Sequence, residues 1–295
     1  MKVYVSGATG FVGSHVAREL REQGVDVRAE RVDLLDAEAL ERAVEGCEAV
    51  VHVAALYSYD SPAEELERVN VEGTRTLLEA ATRARVRRFL FTSTAGTCGP
   101  VPGRPATEED EPPAWELSVP YKRTKLAAEA LAREAGAVVV NPTTPVGSGD
   151  HRPTPTGRMI ADVATGRLPG FVRTTGLNLV DVRDVARGHV LALERGEPRE
   201  RYLLGGANLP LEEIFDAIAD LAGRARPRIA VPYALAQAAS KLRLANPDEV
   251  KLARLPMYFT WEKARDRLGY DPGPVEPALA IAVAEALNID GEGGA

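Results

Sequence analysis

Only two cysteines, Cys47 and Cys98, occur in the 295 residues. They are far apart and form no CxxC pair, which excludes a disulfide framework and a cysteine metal site. A reducing cytoplasm is the compartment this usage suits. Histidine is scarce as well, with four residues, and no metal-ligand spacing is present, so no bound metal is expected. His52 sits inside a strand-like motif and His189 on a helix face, where a structural role is expected of both. Basic residues are outnumbered, 36 against 43 for a net charge of −7. That balance disfavours a general attraction to nucleic acid, while leaving room for a local basic patch. No window approaches the ~20 apolar residues of a membrane-crossing helix. The start, Lys2-Val3-Tyr4-Val5-Ser6, lacks the pattern of an export signal. The expectation is a soluble protein with a small-molecule partner, no nucleic acid and no integral membrane segment. Peripheral contact with a lipid-like substrate stays open.

What is present is ordinary globular composition, 45% hydrophobic and 27% charged, in a chain long enough for one large domain or two unequal ones. The first 140 residues alternate short β-branched runs with longer amphipathic stretches, the pattern of an α/β parallel sheet with crossover helices. Strands are expected at Val3 to Ser6, Val25 to Ala29, Ala49 to Val53, Arg88 to Thr92 and Ala137 to Val140. Val12, Val16 and Leu20 recur at helical spacing, and Glu64 to Ala84 is long enough for several turns. After Asn141 the pattern loosens into a Pro- and Thr-rich stretch, Pro142 to Pro155. Helices are expected at Leu211 to Ala222, Tyr233 to Leu244 and Pro277 to Leu287, with Trp261 opening a short one and a frayed tail over 291–295. The division expected is 1–145 for a nucleotide-binding domain and 146–295 for a mostly helical substrate region, some segments of which return to the first core.

Val3-Tyr4-Val5-Ser6-Gly7-Ala8-Thr9-Gly10-Phe11-Val12-Gly13 runs a strand into glycines spaced by three and on into an amphipathic helix. Gly7 permits the tight exit, Gly10 lets backbone approach a pyrophosphate, and Gly13 allows close packing of the helix on the sheet. A lone glycine triplet could be a mere tight turn; the strand before it and the helix after it favour dinucleotide binding.

Tyr121 and Lys125, four residues apart, share one face of a helix. A neighbouring ammonium stabilises a phenolate, so Lys125 is expected to lower the Tyr121 pKa and make it an acid/base. Such a pair alone is more often a solvated helix face, and its position supplies the context. Upstream, Phe91-Thr92-Ser93-Thr94-Ala95-Gly96 ends a strand in hydroxyl residues at the carboxyl edge of the sheet. There Thr94 could orient a substrate oxygen, while Thr92 and Ser93 are expected to bond local backbone.

With these motifs the chain resembles the extended short-chain dehydrogenase/reductases, the NAD-dependent epimerase/dehydratase family. Further stretches carry the resemblance: Asp33-Leu34-Leu35-Asp36, His52-Val53-Ala54-Ala55 and Asn70-Val71-Glu72-Gly73-Thr74. Two more, Asn141-Pro142-Thr143-Thr144-Pro145-Val146-Gly147 and Gly176-Leu177-Asn178-Leu179-Val180-Asp181-Val182, are similar to the hopanoid-associated sugar epimerases and their dihydroflavonol 4-reductase neighbours. The resemblance implies a Rossmann-type doubly wound sheet and a catalytic triad of Thr94, Tyr121 and Lys125. It also implies a cofactor site of Gly7, Thr9, Gly10, Phe11, Val12, Gly13, Asp33, Leu34, Ala54, Asn70, Tyr121, Lys125, Pro142 and Thr144. Asp33 and Leu34 would border the adenine, Ala54 and Asn70 would lie along the cofactor, and Pro142 with Thr144 would approach the nicotinamide.

Two departures matter. Val27-Arg28-Ala29-Glu30-Arg31-Val32 runs almost directly into Asp33, so a βα unit that relatives carry after the second strand is missing. That segment walls the adenosine ribose, where Glu30 would favour NAD and Arg28 or Arg31 would favour NADP; the expectation leans slightly to NADP. The second is Leu177, where nucleotide-sugar epimerases of the family usually carry an arginine for the substrate diphosphate. Arg152, Arg158 or Arg173 would have to substitute. The reading is therefore an NAD(P)-dependent oxidoreductase acting on a ketone or secondary alcohol. A sugar or nucleotide-sugar epimerase/dehydratase using the same hydride step is the alternative, and a non-catalytic dinucleotide sensor is disfavoured by Tyr121 and Lys125. The sequence allows a homodimer without specifying one.

Overall fold

The computed structural model describes residues 1–168, 170–172, 175–242 and 246–292. In chain order the strands of the first half are β1 (Lys2–Ser6), β2 (Asp26–Arg28), β3 (Ala49–His52), β4 (Arg88–Thr92) and β5 (Val138–Pro142). Their helices are α1 (Phe11–Glu22), α2 (Ala37–Val44), α3 (Ala63–Glu67), α4 (Gly73–Arg83) and α5 (Pro120–Glu134). The second half contributes β6 (Thr144–Val146), α6 (Pro155–Ala164), β7 (Gly170–Val172), β8 (Gly176–Asp181), α7 (Val182–Arg195), β9 (Arg201–Leu204) and β10 (Ala207–Pro210). It continues with α8 (Leu211–Leu221), β11 (Ile229–Val231), α9 (Tyr233–Lys241), α10 (Pro247–Leu252), α11 (Glu262–Leu268) and α12 (Glu276–Glu292).

The main sheet is parallel, in the order β2-β1-β3-β4-β5-β9. Its inner strands β1, β3 and β5 are largely buried on both faces, because successive side chains point to opposite sides and helices cover each side. Val3 and Val5 of β1 pack with Val16 and Leu20 of α1 and with Val185 and Leu193 of α7. Tyr4 between them packs the other way, against Leu40 and Val44 of α2 and Leu77 of α4. α5 extends that second layer, with Ala128 and Ala132 on Phe91 and Val139. β2 is the three-residue edge strand, and only α2 separates it from β3. Chain order reverses about β1, which opens a crevice at the carboxyl ends of β1 and β3.

Beside this sheet lies a second core, in which Ile160 and Val163 of α6, Ile214 and Phe215 of α8, and Val283 of α12 pack with Leu179 of β8. β10, β8 and β6 form its sheet, and β11 pairs with β7. Among the described residues no helix is long and apolar enough to cross a membrane.

Several expectations change here. The helix anticipated over Glu64 to Ala84 is interrupted by a π-helical turn at Arg68–Glu72. α9 stops at Lys241, and Leu244 lies outside the described residues. α12 runs through Glu292 where fraying was expected from 291, with 293–295 outside the described residues.

Candidate active site

The glycine-rich turn joins β1 to α1. Gly7 adopts φ +72°, a left-handed conformation that side chains resist, and a Cβ there would meet the Ala54 amide nitrogen at 2.6 Å. Gly10 donates its amide to the Gly7 carbonyl at 2.9 Å and caps α1 without a side-chain bond. The first-turn amides of α1 are thus left for a ligand, and no acidic side chain occupies that turn. A Cβ on Gly10 would meet only the Gly7 carbonyl, at 3.3 Å, and otherwise open space. Gly13 differs from its expected role, because a Cβ on it would strike the Gly7 carbonyl at 2.1 Å. It makes room for the turn itself rather than for the sheet. Thr9 is exposed, Phe11 and Val12 are half-buried, and Val12 packs on the main core.

The adenine-side residues separate. Leu34 is a core residue beneath α4, where Gly73 admits it, and exposed Asp33 accepts the Leu35 amide at 3.0 Å in a local turn. Arg28 does not reach outward: its Nη1 donates to the carbonyls of Arg42, Ala43 and Glu45 at the end of α2, and Glu30 lies 3.7 Å from its Nε. Arg31 is exposed, with no partner among the described residues. Asn70, inside the π-turn, is buried and occupied: it accepts the Leu56 amide at 2.7 Å and donates to the Leu56 carbonyl and Thr124 Oγ1. It ties the loop after β3 to α5.

α5 begins with Pro120 at its first position, a placement that costs no hydrogen bond. The following turn brings Tyr121 and Lys125 onto its inner face, 8% and 3% exposed. Lys125 Nζ donates to the Thr92 carbonyl at 2.8 Å and lies 4.6 Å from the centre of the Phe91 ring. Burial lowers its pKa to about 8, opposed by Glu129 one turn on. The expected lowering of Tyr121 is not found. Burial, and then the neighbouring Tyr57, push the phenol upward, since no charge compensates the desolvated phenolate. The Tyr121 hydroxyl makes no hydrogen bond to the described residues, and Tyr121 lines a cavity of about 560 Å³.

Thr94 lines the same cavity, and its Oγ1 accepts the Gly96 amide at 3.3 Å. The local backbone bond expected of Thr92 and Ser93 thus belongs to Thr94, while those two bond distant side chains. Thr92 Oγ1 lies 2.9 Å from His189 Nε2, and Ser93 donates to Glu129 Oε2 at 2.5 Å. Glu129 Oε2 also receives Thr97 and Asn141, and its Oε1 pairs with Arg201 at 3.2 Å, so one buried carboxylate anchors the loop after β4. His52 bonds Ser6 and Thr74, and burial brings its pKa down to about 3; His189 falls to about 4 for the same reason. Both imidazoles are neutral structural links.

Elsewhere the cavity is mainly apolar. Leu177 lines it with Met159, Leu168, Phe171, Phe215 and Met257, as do Thr143 and Thr144. Pro142 is buried in β5. Arg158 reaches the cavity margin but is exposed and donates to the Pro153 carbonyl at 3.1 Å; Arg152 is exposed. Arg173 lies outside the described residues.

Two groupings that sequence reasoning missed complete the site. Tyr57 stacks on Tyr121 with ring centres 4.6 Å apart, and its hydroxyl lies 3.3 Å from that of Tyr59. Lys122, on the cavity wall, is 5% exposed and stands 3.1 Å from Oε1 of fully buried Glu116. Gly96 makes space for it, since a Cβ there would fall 1.7 Å from Lys122 Nζ. The Tyr57-Ser58-Tyr59 alternation after β3 was visible in sequence, but the Lys122–Glu116 pairing was not.

Residues 3–205 match the family model described as the NAD dependent epimerase/dehydratase family. The chain belongs to this family. It is 36% identical to a putative dihydroflavonol 4-reductase of Synechocystis, over 95% of this chain and 93% of that protein. It is also 36% identical to sterol demethylase protein B of Methylococcus capsulatus, over 96% and 98%. Among solved structures, UDP-glucose 4-epimerase of Thermus thermophilus in complex with NAD superposes with a TM-score of 0.79 at 25% identity, over 97% of this chain and 99% of the other. This family member is a nicotinamide-dependent enzyme, an oxidoreductase or an epimerase/dehydratase acting on a small molecule.

Proposed function

We propose that the enzyme reduces a neutral, apolar ketone to a secondary alcohol, with Tyr121 as proton donor. The observation that carries this reading is Tyr121, whose hydroxyl has no partner among the described residues, on the wall of a mainly apolar cavity. A phenol is protonated at neutral pH and can donate to a far more basic developing alkoxide, while the burial that raises its pKa makes it a weaker acid. The glycine turn and the open first turn of α1 fit a dinucleotide pyrophosphate, and when bound the reduced nicotinamide supplies the hydride. Tyr121 moves its proton to the substrate oxygen, Thr94 orients that oxygen through its hydroxyl proton, and Lys125 holds its ammonium on the Thr92 carbonyl one helical turn on. Relatives named for reduction of a dihydroflavonol and for sterol demethylation agree with an apolar substrate. Nicotinamide absorbance followed with a panel of neutral ketones and nucleotide sugars tests the reading. Stoichiometric oxidation of the cofactor with a ketone is expected; epimerisation of a nucleotide sugar without net absorbance change would overturn it. Arg158 at the cavity margin is the one observation favouring that second outcome, because it could meet a diphosphate.

NADP is the cofactor we favour, and Arg31 is the group to meet its 2′-phosphate, since Arg28 is held by α2. With no βα unit enclosing the ribose, discrimination should stay below ~100-fold, about 2.7 kcal/mol. Arg31→Ala should weaken NADP by ~10-fold or more and leave NAD unchanged, as loss of a charged hydrogen bond does. Titration of both cofactors by fluorescence checks this; an unchanged ratio would remove Arg31 from the site.

A further inference from the structure

Four of the seven large hydrophobic residues exposed among the described residues, Leu221, Ile229, Leu235 and Leu242, fall within residues 221–242. Scattered exposed apolar residues need no explanation, but such a concentration does. The same segment holds Arg224, Arg226, Arg228 and Lys241 and not one Asp or Glu, in a chain whose net charge is −7. Arg226 is paired with Asp216 and Asp220 of α8. Arg224, Arg228 and Lys241 are exposed and have no carboxylate partner among the described residues. Leu235 on α9 and Leu242, the residue that follows its last turn, are 62% and 72% exposed. The inner side of that helix, Ala236 with Ala239, is a wall of the main cavity, as is Val231 at the end of β11.

We propose that residues 221–242 form a docking surface for an anionic lipid bilayer, with the four apolar side chains entering the interface and Arg224, Arg228 and Lys241 meeting headgroups. An interfacial helix binds through buried apolar area together with attraction of its cations to anionic lipid, and this segment supplies both. A second copy of the chain fits less well, because a twofold contact would set the same unpaired cations against each other. Docking places the wall of the apolar cavity against the bilayer, where a lipid-soluble substrate is concentrated. The surface itself does not depend on the ketone reading.

Flotation of the full-length, cofactor-loaded protein with vesicles tests it without any turnover, so its failure and that of the ketone reading are distinguishable. Vesicles of phosphatidylcholine mixed with phosphatidylglycerol should carry the protein upward at low salt, and phosphatidylcholine alone should carry far less. Leu235→Ser with Leu242→Ser should reduce bound protein by ~10-fold. Arg224→Gln with Arg228→Gln should weaken binding to the anionic vesicles alone, with melting temperatures checking that each variant is folded. No flotation of the parent, or equal flotation of the folded leucine variant, would overturn the proposal. A parent dimer that becomes monomeric in the leucine variant, with no vesicle binding by either, would assign the surface to a second copy instead.

Discussion

Replacing Tyr121 by Phe should cut ketone turnover by ~100-fold or more, the usual contribution of a general acid, while cofactor affinity and melting temperature stay close to those of the parent. The change removes one oxygen from a side chain whose hydroxyl bonds no described residue, so no internal hydrogen bond is lost with it. The ring keeps its stacking on Tyr57. Steady-state rates at saturating cofactor are the measurement, and turnover within threefold of the parent would show that the proton comes from elsewhere. Tyr57 is the next candidate, since it lines the same cavity and stacks on Tyr121.

The second large effect is on stability. In Lys122→Met the Glu116 carboxyl, fully buried in the 3-10 turn before α5, loses the ammonium 3.1 Å away. Neither carboxylate oxygen accepts a hydrogen bond of good geometry from any described residue, so the ion pair with Lys122 is what offsets its charge. Burial already pushes its pKa upward and Lys122 opposes that push. Breaking a buried pair from one side costs about 3–5 kcal/mol, whereas replacing both partners by uncharged groups is often neutral. Lys122→Met should therefore lower the urea midpoint strongly, and Lys122→Met with Glu116→Gln should recover most of the loss. A single variant within about 1 kcal/mol of the parent would mean that Glu116 is neutral or solvated in the folded protein.

Much of the first half was legible because its signals are local. The five strand positions, the glycine spacing and the one-face placement of Tyr121 with Lys125 follow from backbone geometry and side-chain period. The second half was less so. β6, β7 and β11 are three residues each, too short for a hydrophobic period to show, and they pair across long stretches of chain. The hydroxyl cluster shows the same limit in miniature. Thr92, Ser93 and Thr94 look alike in sequence, yet His189, Glu129 and the Gly96 amide are the partners that distinguish them.

The sequence by itself determined the strand-turn-helix at the glycine-rich turn, the family, and the placement of Tyr121 and Lys125 on one helix face, because each is carried by short local motifs. Tertiary structure decided the electrostatics and the selectivity. Burial and Tyr57 raise the Tyr121 phenol while Lys125 turns to the Thr92 carbonyl. Arg28 is spent on the end of α2 and Asn70 on Leu56, and Lys122 meets Glu116 beneath Gly96. A charge shift or a satisfied donor depends on desolvation and on neighbours brought together by packing, and neither is encoded in the spacing of the residues that display it.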